Sequence, residues 1–148
     1  MSDLKAAIND SVKAAMRAGE KTRLGTLRMV TAAIKQKEVD DRCELTDADV
    51  LAILDKMVKQ RKESESQYAQ ANREDLAQVE RAEMAIIAEF LPQPLSDEEI
   101  TALVNAAVAE TAATSVKDMG KVMNILKPQV QGRADMSAVS ARVKAQLN

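Results

Sequence analysis

Apolar residues recur at spacings of three and four positions along most of the chain, as with Leu4, Ile8 and Val12 near its start. That spacing is typical of an amphipathic α-helix with one buried face. Residues that cap or break helices divide the pattern into seven predicted helices, so the expected fold is all-α. The first helix is predicted to end at Gly19 and the second near Val39. The next five helices are predicted to begin after the capping residues Thr46, Asn72, Ser96, Ser115 and Asp135. Proline is predicted to stop the fourth helix at Pro92 and the sixth at Pro128.

The segment Pro92-Gln93-Pro94 is the best candidate for a domain boundary. Its prolines stiffen the chain and remove the N–H groups that a helix would need. We therefore predict two helical bundles: a four-helix bundle at residues 1–91, a hinge at residues 92–95, and a three-helix bundle at residues 96–148. The stretch Ser96-Asp97-Glu98-Glu99 is predicted to open the second bundle with a capping box.

The composition restricts both the core and the chemistry. Hydrophobic residues make up 46% of the 148 residues but aromatic residues only 1%, namely Tyr68 and Phe90, so the core must be aliphatic. The sequence has no histidine, which removes the commonest general base and most transition-metal sites. Its four glycines form no phosphate-binding loop. We therefore expect no catalytic residues, no metal and no cofactor, and a passive role for the single Cys43.

The expected location is cytoplasmic, with no attachment to a membrane. No apolar run approaches the roughly 20 residues that span a bilayer. The stretch Met1-Ser2-Asp3-Leu4-Lys5 lacks the charged and then apolar pattern of a secretory signal.

Charge is unevenly distributed within the predicted second bundle. Residues 96–114 contain four acidic residues and no Lys or Arg, whereas residues 115–148 contain six cations against two acidic residues. Such a separation of charge can steer a polyanion, although ordinary solvated helix surfaces would explain it equally well. The candidate polyanion-binding residues are Lys117, Gly120, Lys121, Lys127, Gly132, Arg133, Arg142 and Lys144.

The two glycines in this region have different explanations. Gly120 lies inside a predicted helix, where glycine costs about 1 kcal/mol relative to alanine. Close packing against a neighbouring helix is the favoured explanation, and a close approach of a ligand to the bare backbone is the alternative. Gly132 is predicted to supply a positive φ in a turn, after which Asp135 caps the last helix. That turn does not require the guanidinium of Arg133, which is therefore the better candidate for an anion contact.

A second basic patch consists of Lys59, Arg61 and Lys62. Successive helical residues are about 100° apart, so these three side chains spread around the helix and cannot all face one partner. Glu63 and Glu65 follow Lys59 and Arg61 by four residues, which favours local ion pairs and a solvated surface over contact with RNA.

Three stretches together resemble the GatB/YqeY family, in particular its small free-standing YqeY-type members. They are Lys59-Gln60-Arg61-Lys62-Glu63-Ser64, Phe90-Leu91-Pro92-Gln93-Pro94-Leu95-Ser96, and the region with Gly120-Lys121 and Gly132-Arg133-Ala134. The resemblance implies a division into four and three helices. It also implies similarity to the helical region and tail of the tRNA amidotransferase B subunit, whose tail is thought to contact tRNA.

The resemblance and the charge pattern lead to one main hypothesis and two alternatives. The main hypothesis is a non-enzymatic helical module that binds tRNA or a tRNA-handling complex through its C-terminal domain. One alternative is an accessory role in glutamine-dependent tRNA amidation, a carbon–nitrogen ligase reaction with glutamine as amido donor, since the catalytic residues of the complete enzyme have no counterpart here. The other is a protein-interaction scaffold that uses Met119 and Met123 as an adaptable apolar surface.

Overall fold

The computed structural model describes residues 2–148, and these residues form helices and connecting segments without any β-strand. The all-α prediction is thereby confirmed. The helices are α1 Asp3–Ala18, α2 Lys21–Asp41, α3 Asp47–Gln70, α4 Glu74–Ala88, α5 Asp97–Thr111, α6 Met119–Val130 and α7 Met136–Leu147, with a 3₁₀ turn at Val116–Asp118 before α6. None of the helices between residues 2 and 148 combines the length and hydropathy that a bilayer-spanning segment requires.

Contacts within the chain divide it into two compact units, the first ending at Pro92 and the second covering Gln93–Asn148. Each unit has its own aliphatic core, and a fully buried Val, Leu or Ile stabilises a fold by about 1.5–3 kcal/mol. The core of the first unit contains Ile8, Val30, Ile34, Leu45, Val50, Leu54, Met57 and Ile87. The core of the second contains Ile100, Val104, Ala107, Val122, Leu126, Val130, Val139, Val143 and Leu147.

Several predicted helix ends are confirmed by their hydrogen bonds. Thr46 and Ser96 each accept a bond from the backbone N–H three residues on, and the acidic residue at that position bonds back to the cap. These reciprocal bonds form a capping box, which satisfies two backbone donors that a helix leaves free. Gly19 ends α1 with φ of 70°, and the side chain of Asp135 accepts from the N–H of Ser137 at the start of α7.

The predicted cap Asn72 is wrong, because this residue ends α3 and does not begin α4. It has φ of 58°, a left-handed conformation that asparagine tolerates better than most residues. The N–H of Arg73 then donates to the carbonyl of Tyr68 at 2.8 Å, which closes the end of α3. Helix α4 begins after Arg73, whose side chain makes no capping bond.

The predicted ends of the sixth helix are also wrong. Ser115 makes no side-chain capping bond, and the chain first forms the 3₁₀ turn, so α6 begins at Met119. Pro128 lies inside α6, which continues to Val130. The missing N–H of Pro128 removes only one hydrogen bond from the last turn of α6. The helix continues past it because Val130 is fully buried and the N–H of Gln131 still donates to the Lys127 carbonyl at 3.1 Å.

Polar contacts fasten the beginning of α1 to both α2 and α3. The buried Ser2 hydroxyl donates to the Asp47 carboxylate, which also accepts from the N–H of Leu4 at 3.1 Å. Lys5 donates to both oxygens of the Glu38 carboxylate at 2.8 and 2.9 Å. The first unit therefore depends on ionised carboxylates where α1 meets the other helices.

We predict that acid weakens this junction. The Ser2 hydroxyl, followed by the N–H of Leu4, lowers the pKa of Asp47. A lowered pKa in the folded state stabilises the fold above the unfolded pKa of about 3.9, and this contribution is lost as the pH falls through the folded value. Asp47→Asn should therefore unfold at lower urea concentration than the wild type at pH 7, and the difference should shrink below about pH 4. Asp10→Asn, on the exposed side of α1, is the control; an equal effect there, or a difference independent of pH, would contradict the prediction.

Candidate nucleic-acid interface

Helix α6 separates apolar and polar residues onto opposite sides. Val122, Leu126 and Val130 recur every four residues and are fully buried. At about 100° per residue, the positions opposite them fall within a sector of about 120°. That sector contains five exposed residues, Gly120, Lys121, Asn124, Lys127 and Pro128. The core contacts of α6 thus require this polar side to face solvent.

The 3₁₀ turn places one further lysine and one carboxylate before this face. Lys117 lies in the turn and is exposed. The Asp118 carboxylate accepts from the N–H of Thr114 at 3.0 Å, and this bond is the main reason that the pKa of Asp118 is lowered. Lys121, one turn further on, lowers the pKa as well. A fixed negative charge therefore accompanies the lysines at this end of α6.

Helix α7 contributes one lysine on its α6 side. The Ser140 hydroxyl lies 3.8 Å from the sulfur of Met123, so Ser140 faces α6. Lys144 follows Ser140 by one turn and lies on the same side. Because the short connection 131–135 makes α6 and α7 antiparallel neighbours, Lys144 lies towards the first turns of α6.

These cations form what we call the lysine surface, and it consists of Lys117, Lys121, Lys127 and Lys144. All four side chains are exposed. Within residues 2–148, none of them forms a salt bridge or donates a hydrogen bond to another residue. Their ammonium groups are therefore available to an anion.

The two arginines in the predicted set are bonded within their own unit. Arg133 donates from Nε to the carbonyl of Gln93 at 3.0 Å, and its own carbonyl accepts from the N–H of Leu95 at 2.8 Å. Arg142 donates to the Asp97 carboxylate at 2.6 Å, to the Asp97 carbonyl at 3.0 Å and to the Thr101 hydroxyl at 3.1 Å. These contacts join α7 to α5 and the 93–95 segment to the α6–α7 turn.

The two glycines are now distinguished by geometry. Gly132 has φ of 77°, which confirms the predicted turn. The favoured explanation for Gly120 is wrong, because a Cβ at this position would have no atom of a neighbouring helix within 4 Å. Gly120 is therefore not required for helix packing, and its backbone lies open beside Lys121.

The second basic patch does not offer three free cations. Arg61 donates from Nε to Glu83 at 2.8 Å and from Nη1 to the Met57 carbonyl at 3.1 Å, and only 13% of its side chain is exposed. The predicted pairing of Arg61 with Glu65 is wrong, since Glu65 accepts from Arg81 at 2.7 Å. Lys59 also has a partner, while Lys62 is exposed. Arg61 thus joins α3 to α4, a contact between residues 22 positions apart that a search for local pairs misses.

The remaining candidate residues lie in different environments. No cluster of three or more His, Cys, Asp or Glu residues between positions 2 and 148 could hold a metal ion. Met119 and Met123 pack against the core of the second unit, and Cys43 is exposed.

Comparison with known proteins gives consistent matches. A family model described as Yqey-like protein matches residues 5–147. Three fungal proteins that match are each named Altered inheritance of mitochondria protein 41, mitochondrial. The Clavispora lusitaniae protein is 34% identical over 127 residues, covering 82% of this chain and 74% of its own length. The Meyerozyma guilliermondii protein is 44% identical over 80 residues, covering 54% of this chain and 42% of its own length. The Lachancea thermotolerans protein is 31% identical over 154 residues, covering 98% of this chain and 81% of its own length.

The predicted cytoplasmic location is corrected by these relatives, because their names describe them as mitochondrial. The prediction rested on the absence of a secretory signal and of a membrane span. Mitochondrial targeting uses a different, amphipathic and arginine-rich type of segment, so neither absence bears on it.

We predict that Gly120→Ala stabilises the protein. The position has helical φ and an open surrounding, so alanine reduces the entropy of the unfolded chain without a clash, for a gain of about 0.5–1 kcal/mol. Gly132→Ala is the contrasting variant and should lose at least about 1 kcal/mol, because alanine is strained at a positive φ. Urea denaturation followed by circular dichroism measures both. A destabilised Gly120→Ala variant would mean that the glycine is needed for packing.

Proposed function

This chain belongs to the family of Yqey-like proteins, and from that premise we propose that it is a non-enzymatic helical module that binds tRNA through its second unit. The observation that carries the proposal is the lysine surface, four exposed cations that have no partner among residues 2–148. The family resemblance supports tRNA as the polyanion, because the corresponding tail of the amidotransferase B subunit is thought to contact tRNA. A tRNA-handling protein complex is the alternative partner of the same surface.

The residues of the lysine surface suit contact with phosphates. A lysine ammonium is a compact charge on a flexible stem, and protein–nucleic acid affinity depends mainly on such charges at the phosphate backbone. Gly120 adds backbone without a side chain in the middle of the surface, which allows a phosphate to approach closely. Arg133 and Arg142 act in this proposal chiefly as positioning residues, since their bonds hold α7 and the α6–α7 turn in place.

The chemistry of the surface favours structured RNA. Single-stranded RNA is recognised largely by stacking its bases on aromatic rings. Residues 93–148 contain no aromatic residue, and the two in the chain, Tyr68 and Phe90, belong to the first unit. Recognition would therefore depend on the phosphate backbone and the shape of the RNA, as expected for a folded tRNA.

We also propose that the chain functions as two bundles, residues 1–91 and residues 96–148, joined by the 92–95 segment. The separation of contacts after Pro92 supports this division. Arg133 donates to the Gln93 carbonyl and its own carbonyl accepts from the N–H of Leu95, so most of the connecting segment is held within the second unit. Any hinge motion would consequently be concentrated at Pro92.

Neutralising the lysine surface should weaken tRNA binding. We expect the variant with Lys117, Lys121, Lys127 and Lys144 all changed to Gln to bind at least about tenfold more weakly, because each lysine contributes released counterions. The slope of log affinity against log salt should become shallower by about 3 to 4, near one unit for each lost phosphate contact. Fluorescence anisotropy with labelled tRNA over a salt series measures both quantities.

A matched control changes four exposed lysines of the first unit, Lys13, Lys21, Lys56 and Lys62, to Gln. It lowers the net charge equally, so its tRNA affinity and salt slope should stay close to those of the wild type. Equal weakening by both variants would show that overall charge, and not the lysine surface, governs binding. Absence of binding by the wild type even at low salt would reject tRNA and favour the protein complex.

A further inference from the structure

A second cationic site lies in the first unit, in the groove between α1 and α2. This α1–α2 groove has a volume of about 470 Å³ and is lined by polar side chains of α1 and by one face of α2. That volume lies within the range of about 300–1,000 Å³ that is usual for small-molecule sites. The lysine surface includes none of these residues.

The groove carries uncompensated positive charge. Its lining contains three cations, Lys5, Arg28 and Lys35, against the single carboxylate of Glu38, a net charge of +2. Glu38 is already occupied, since Lys5 donates to both of its oxygens and, as the main cause, lowers its pKa. The charges of Arg28 and Lys35 are left without a partner in the described residues.

Arg28 stands out among the arginines of the first unit that face neighbouring helices. Arg23, Arg61 and Arg81 each donate to a carboxylate on another helix or turn. Arg28 makes no such bond although it lines a concave surface. A guanidinium is well suited to such a position because it can bind two oxygens of one phosphate or carboxylate group.

The spacing on α2 allows both cations to reach one anion. Arg28 and Lys35 are seven residues apart, so they lie on the same face with their Cα atoms about 10 Å apart. Between them are Thr31 and Ala32, whose small side chains leave room for a ligand. On the opposite wall, Asn9 presents a side-chain amide that has no partner in the described residues.

We propose that the α1–α2 groove binds a small phosphorylated molecule through its phosphate group. Arg28 and Lys35 neutralise the phosphate from the two ends of the groove, and the Asn9 amide donates to it from α1. The alkyl stems of the lining residues and Ala32 contact the remainder of the molecule. The site is separate from the proposed tRNA interaction, which uses residues of the second unit.

Titration with inorganic pyrophosphate tests this site. Isothermal titration calorimetry at constant ionic strength should show saturable binding to the full-length protein at one site. Arg28→Gln and Lys35→Gln should each weaken this binding at least about tenfold, since each removes one of two cations that face the anion. Both residues are exposed, so circular dichroism should show an unchanged fold for both variants.

The control is Lys37→Gln on the same helix. Lys37 pairs with Asp41 at 2.9 Å and does not line the groove, so this variant should bind pyrophosphate as the wild type does. The variant with a neutralised lysine surface should also retain pyrophosphate binding, which separates this test from that of the proposed function. Lack of saturable binding by the wild type, or equal weakening by Lys37→Gln, would overturn the proposal.

Discussion

The buried cores of this protein are built from aliphatic side chains, and that constraint determines where its charged residues can lie. With one phenylalanine, one tyrosine and no tryptophan, a helix can be anchored only by a regular stripe of Leu, Ile, Val, Met and Ala. The burial of Val122, Leu126 and Val130 fixes the rotation of α6. The opposite side, with its lysines and Gly120, consequently has to face solvent.

Partners within the protein separate the basic residues into two groups. Arg61 and Arg142 connect helices through several side-chain hydrogen bonds each, and Arg133 donates one to the Gln93 carbonyl. Lys121 and Lys127 make no such hydrogen bonds within residues 2–148 and remain exposed. A planar guanidinium with five donors is suited to the first role, and a mobile ammonium to the second. Positive charge in the sequence therefore identifies a candidate surface only after the internally bonded cations have been set aside.

The helices and local caps could be predicted from the sequence because each depends on neighbouring residues. Thr46 and Ser96 bond to the third residue on, and Gly132 only needs to adopt a positive φ. Asn72 misled the prediction because the same residue type suits both the start and the end of a helix. Pro128 misled it because the burial of Val130 outweighs one lost hydrogen bond near the end of α6.

Contacts between distant positions could not be read from local patterns. The pair Arg61–Glu83 and the bonds from Arg142 to Asp97 depend on which helices become neighbours, which composition and periodicity leave open. The open space around Gly120 likewise depends on the tertiary arrangement, because no neighbouring helix packs against this position. The four exposed lysines were in the predicted set, whereas the internal roles of the arginines and the α1–α2 groove required the three-dimensional structure.

We propose that tRNA contacts this protein at the lysine surface, and mapping amide chemical shifts during a tRNA titration would locate the contact. Two-dimensional ¹H–¹⁵N spectra of the full-length protein would be recorded during titration with unlabelled tRNA at low salt. We expect the largest shift changes or losses of signal at residues 117–127 and around Lys144. Changes concentrated in the first unit, or no changes at any residue, would contradict it.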